Sequence, residues 1–180
     1  MAYQTKAIAA DERELYAYAV HCLFSLLYPL VFALVIGAFF GMPIEAVAMI
    51  MPFIAVRKFS GGYHADSFGK CLCISSIVIV AALQISKYVD NNITFNLIYI
   101  VSSILLMIFS PIDSANKRLD NEDRKFCKKV TILIVLVLFI IVELLWIAGY
   151  RHYTKYIEVG VILAELLQIV AIFKVKYSRK

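Results

Sequence analysis

Long uninterrupted apolar runs dominate this chain, and they restrict its fold more than any other feature. Six can be marked, at 17–40, 42–56, 71–89, 95–112, 130–150 and 156–175. A bilayer core is about 30 Å thick, so a spanning helix needs roughly 20 apolar residues. Five of the runs approach that length. The second is shorter, has its strongest part at 44–56 and contains Pro52, so it reads as a borrowed, tilted or re-entrant segment. Lipid offers no hydrogen-bond partners, so a spanning backbone must satisfy itself as a helix or a closed barrel. The runs are continuous rather than alternating, which selects helices. Composition agrees, with 62% hydrophobic residues, 17% charged residues and a mean hydropathy of +0.82. The expected fold is all-α: a polytopic integral membrane protein of about six transmembrane helices. No repeat or low-complexity linker divides it, so residues 1–180 read as a single transmembrane domain.

Charge placement orients the runs. The formal net charge is +5, but Lys and Arg lie between apolar runs rather than on one continuous face, so nucleic acid is not an expected partner. With the N-terminus in the cytoplasm and six spans, fifteen Lys and Arg residues fall inside and three (Lys87, Arg151 and Lys155) outside. The positive-inside rule favours that arrangement. Both termini, the 57–70 loop and the 113–129 loop are therefore expected at the cytoplasmic face of the cell membrane. Met1 to Glu14 carry both charge signs, and no small-residue cleavage site follows a short apolar core, so no removable signal peptide is expected. The stretch from Ala2 to Ala19 could form an interfacial helix, though its apolar face is poor. Cysteines 22, 71, 73 and 127 lack C-x-x-C spacing, and no disulfide is expected.

Two polar loops stand out. The first runs from Arg57 through Lys58, Gly61, Gly62 and His64 to Cys71. A Cys and a His at one membrane face are the minimum set for thiol nucleophilic catalysis, with imidazole taking the thiol proton and thiolate attacking a carbonyl. Paired glycines permit a bend or a close approach to substrate. On a straight helix His64 and Cys71 would lie about 10.5 Å apart along the axis. Cooperation therefore needs the chain to fold back, with Gly69 as a break point and Cys71 opening the third helix, where the dipole favours a thiolate. The competing reading makes His64 a loop residue and Cys71 a small buried one. A metal site from His64, Cys71 and Cys73 is poorer, because i and i+2 diverge on a helix. No metal and no cofactor are expected.

The second loop is Ser110-Pro111-Ile112-Asp113-Ser114-Ala115-Asn116-Lys117, at the same expected face. Asp113 could orient an imidazole and Asn116 could donate hydrogen bonds; equally, these are the residues of an ordinary turn. Glu143 and Glu165 lie inside the fifth and sixth runs, where carboxyls are costly and turn inward. They could serve a transporter as coupling carboxyls or be neutral packing groups. A membrane sensor or scaffold using its basic loops is a further alternative.

These loops resemble a known family. The run Arg57…Gly61-Gly62-Tyr63-His64-Ala65…Cys71 is similar to the signature of the accessory gene regulator protein B (AgrB) family, membrane cysteine endopeptidases of Gram-positive quorum sensing. Pro111 to Lys117 resembles that family's second characteristic stretch. Arg118, where a proline is common, departs from it. The resemblance covers essentially the whole chain. It implies an AgrD-type pro-peptide substrate with an amphipathic start and an acidic C-terminal tail, which the enzyme cleaves off. Cys71 would form an acyl-enzyme thioester, and a substrate cysteine or serine would close it into a thiolactone or lactone. His64 would act as base and then acid. Arg57 and Lys58 are suited to hold the acidic tail, and amides near Gly61, Gly62 or the third helix could stabilise the oxyanion. The partners are then the pro-peptide and the lipid bilayer, and the sequence leaves open a homodimer.

Overall fold

The computed structural model describes residues 10–61, 68–112 and 120–177. Among them the chain is entirely helical: α1 (Ala10–Phe39), α2 (Pro43–Ser60), α3 (Phe68–Tyr88), α4 (Ile93–Phe109), α5 (Asn121–Ile147) and α6 (Arg151–Tyr177). Two of these, α5 and α6 over Arg151–Phe173, are long and apolar enough to cross a membrane by length and composition. Leu27–Phe39, Ile74–Tyr88 and Ile93–Phe109 are shorter apolar helical stretches.

Helices outrun the apolar runs where local signals favour extension. α2 starts on Pro43 at its first turn, a position where the missing N–H costs nothing, and runs through Arg57, Lys58 and Phe59 to Ser60. α5 begins at Asn121, nine residues before its apolar run. Asp120 caps it by accepting from the Asn121 N–H at 2.7 Å, with Glu122 and Asp123 in the first turn, where acidic groups complement the helix dipole. Arg124, Lys125, Lys128 and Lys129 are thus helical rather than loop residues. α6 likewise takes in Arg151 and Lys155. α4 ends at Phe109 because Pro111 pushes Ser110 into an extended conformation.

α2 and α6 form the central pair, with α1 and α3 to one side and α4 and α5 to the other. Gly160 makes the central contact close: a Cβ there would strike the Met49 carbonyl and the Pro52 ring. Small residues at helix crossings allow this approach. The helices alternate in direction. One end gathers the starts of α2 and α6 (Glu45 Oε1 to His152 Nε2, 3.0 Å) and the α3–α4 turn, where Asn91 Nδ2 donates to the Arg151 carbonyl at 2.8 Å and Lys155 Nζ to the Val89 carbonyl at 3.1 Å. The opposite end gathers the end of α2, the end of α4 and the start of α5.

Polarity is inverted on α4. Its outward residues include Ile93, Leu97, Ile98, Val101, Ile104 and Ile108, whereas Asn96, Tyr99, Ser102 and Ser103 are buried. α5 likewise exposes Leu133, Leu136, Val137, Ile140, Ile141 and Leu144 in one stripe at helical spacing. α6 buries Thr154, Lys155, Glu158, Glu165 and Gln168. Contiguous apolar surface of this extent is unfavourable in water.

Candidate active site

The described ends of the two polar stretches, at Ser60–Gly61 and at Ile112, meet at a single point. α2 ends at Ser60, which is fully buried. Its carbonyl accepts the N–H of Ile112 at 3.0 Å, and its Oγ donates to the Gly61 carbonyl at 3.2 Å. Gly61 adopts φ 76° and ψ −163°, a region essentially restricted to glycine. A Cβ at this position would collide with the Ile112 carbonyl oxygen. The conformation and the close contact each require glycine, and together they clamp the root of the first loop to the root of the second.

The clamp is braced from behind. Ser110 Oγ donates to Thr131 Oγ1 of α5 at 3.1 Å, and Thr131 Oγ1 donates to the Cys127 carbonyl at 2.9 Å. Gln168 of α6 is fully buried. In the amide orientation that satisfies both neighbours, it donates to Glu165 Oε2 at 3.0 Å and accepts the Ser110 N–H at 3.3 Å. Ser110 is therefore held from α5 and α6 at once, and Pro111 and Ile112 leave this anchor toward the second loop.

Basic residues flank the clamp on α2. Arg57 is half-buried with its guanidinium carbon 5.6 Å from the Phe53 ring centroid. Lys58 is exposed, its Nζ 5.6 Å from the Phe59 ring centroid. Gly61 stands three positions before His64, and Ile112 one before Asp113. His64, Gly62, Asp113, Asn116 and Lys117 themselves lie outside the described residues. Of Cys71 the backbone is described: it is the fourth residue of α3, which starts at Phe68. Gly69 is accordingly helical rather than a break, and Cys71 does not open the helix. The dipole's influence, confined to the first turn, acts on Cys71 from three residues inside the terminus. The metal alternative of His64, Cys71 and Cys73 falls on side chains outside the described set.

A second polar cluster lies deeper, between α4, α5 and α6. Glu158 is fully buried, with Asn96 and Glu143 as its polar neighbours. Tyr99 faces Ser103 beside it. Glu165 is buried, whereas Glu143 is half-buried. Glu158 is absent from the reading of the sequence, which starts the sixth span at 156 and so makes position 158 a span end. The signal was present: Lys155, Glu158, Glu165 and Gln168 recur at helical spacing along one face.

A family model described as Accessory gene regulator B matches residues 1–172. The chain is 24% identical over 150 residues to AgrB-like protein 2 of Clostridium perfringens (strain 13 / Type A), covering 79% of this chain and 70% of that one. It is 26% identical over 148 residues to an AgrB-like protein of Halalkalibacterium halodurans, covering 81% and 74%. No solved structure matches.

Proposed function

Because the chain belongs to the accessory gene regulator B family, whose role is processing of the AgrD pro-peptide in agr quorum sensing, we propose that it is a membrane-embedded cysteine endopeptidase with Cys71 as nucleophile and His64 as base. The observation that carries this reading is the Ser60–Gly61–Ile112 clamp. It ties Gly61, three residues before His64, to Ile112, one residue before Asp113, at one end of the bundle, and six residues separate Gly61 from the start of the helix that bears Cys71.

The chemistry divides into two acyl transfers. His64 removes the Cys71 proton, and the thiolate attacks the carbonyl at the start of the acidic tail. Amides near Gly61, Gly62 or the first turn of α3 stabilise the oxyanion. His64 then returns the proton to the departing amine, leaving a thioester on Cys71. A thiol within the bound peptide attacks that thioester and releases Cys71. The product is a thiolactone; a hydroxyl in the same place yields a lactone. Arg57 and Lys58 hold the acidic tail through charge-assisted hydrogen bonds. Asp113 orients the imidazole by accepting from its second nitrogen, and Asn116 and Lys117 support the same loop.

The membrane setting rests on the inverted polarity of α4 and the apolar stripe of α5. At 1.5 Å per residue the six helices are about 26–45 Å long, close to or beyond the ~30 Å hydrocarbon thickness. Their alternating directions accord with six spans. The charge asymmetry supports cytoplasmic termini and a cytoplasmic site.

The test is cleavage of a matched pro-peptide in proteoliposomes. Cys71→Ala and His64→Ala should each abolish cleavage while remaining inserted and helical. Near-normal processing by either variant would overturn the assignment.

A further inference from the structure

A cleft of about 70 Å³ lies between α1, α2, α3 and α6. Pro29, Met49, Phe53, Val78 and Leu167 form its walls, and Ser75 is its single polar lining residue. α3 contributes Ile74, Ser75, Val78 and Ile79, which share one helical face. Counting back three, four and seven residues from Ile74, Ser75 and Val78 arrives in each case at position 71. Position 71 therefore heads the cleft-lining face, about 4.5–6 Å along the axis from Ile74 and Ser75.

We infer that this cleft is the acyl-side specificity pocket of the peptidase, taking one branched aliphatic side chain of the pro-peptide just N-terminal to the scissile bond. The inference rests on the proposed function, since it uses Cys71 as nucleophile. A peptide whose reacting carbonyl lies at position 71 sends its two halves in different directions. The acidic tail cannot enter a cleft without a cation, because a buried unpaired carboxylate is too costly. It is drawn instead toward Arg57 and Lys58 at the end of α2. The acyl half is left with the apolar cleft. The volume is roughly half that of a cavity that accommodates benzene, which suits an aliphatic side chain of three or four carbons. Ser75 and Ile74 are both exposed at the mouth. A hydroxyl there, one turn from position 71, can bond to a peptide backbone. A lipid acyl chain has no use for it.

The test uses the full-length protein in proteoliposomes and two pro-peptides that differ only in the residue before the scissile bond, leucine or alanine. Wild type should favour the leucine peptide by about 10- to 100-fold in kcat/KM, the range a hydrophobic pocket typically yields. Val78→Phe fills the cleft from α3 and Leu167→Phe from α6. Each should cut the leucine-peptide rate until the preference approaches one, while the alanine-peptide rate persists. That persisting rate shows a folded enzyme. An unchanged preference in both variants would sink the pocket but leave a Cys71-dependent peptidase standing. Uniform slowing on both peptides would also overturn it, in favour of a packing role or an acyl chain in the cleft. If Cys71→Ala cleaves like wild type, the failure belongs to the proposed function instead.

Discussion

Replacing Gly61 by alanine probes the clamp more sharply than any change at the reacting groups. At φ 76° and ψ −163° a residue with a Cβ bears about 1–3 kcal/mol of backbone strain. The new methyl also meets the Ile112 carbonyl, so the two chain segments must part. Parting breaks the Ile112 N–H to Ser60 carbonyl bond, at a further ~1 kcal/mol. Together the cost is about 2–4 kcal/mol, or roughly 30- to 900-fold at 1.36 kcal/mol per decade. The deficit falls on the population of the assembled site rather than on global stability, because the clamp lies at the end of the bundle. The expected result is a loss of that size in kcat/KM for pro-peptide cleavage, with insertion, helicity and Tm in detergent nearly unchanged. Ile112→Val is the control: the clamp uses the backbone of Ile112, so activity should change little. Wild-type activity in Gly61→Ala would refute the reasoning. So would a large loss in Ile112→Val, since it would make the side chain, rather than the backbone contact, decisive.

Gly160→Ala should act globally instead. Its methyl would press on the Met49 carbonyl and the Pro52 ring, overpacking the α2–α6 crossing by about 1–3 kcal/mol and lowering Tm by several degrees; an unchanged Tm would show the crossing to be looser than described. Cys73→Ala should keep most cleavage activity, because positions i and i+2 diverge on α3; loss equal to that of Cys71→Ala in the same assay would revive the metal alternative. A single cysteine introduced by Glu122→Cys, exposed in the first turn of α5, should resist an impermeant thiol reagent in intact cells and react after permeabilisation. Strong labelling from outside would invert the topology.

Hydropathy alone was enough to specify an all-helical chain and to locate six helices, because 3.6-residue geometry and unsatisfied backbone groups leave an apolar run few alternatives. It also set Arg57 to Cys71, with its glycines, and Ser110 to Lys117 apart as polar stretches between apolar runs. Helix ends were less legible. α5 starts at Asn121 because an Asp120 cap and an acidic first turn outweigh the polarity of the residues that follow. Hydropathy cannot register that preference. Inward facing was legible only in part: Glu165 stood in mid-run and invited attention, while Glu158 lay near a run's edge and became interior only when α6 began at Arg151. The clamp was not legible at all. Gly61 and Ile112 are far apart in the chain, and nothing local says that a carbonyl will occupy the space of the missing Cβ. That contact exists because α2 and α4 end at the same height in the bundle, and their lengths and crossings are properties of the packed helices together.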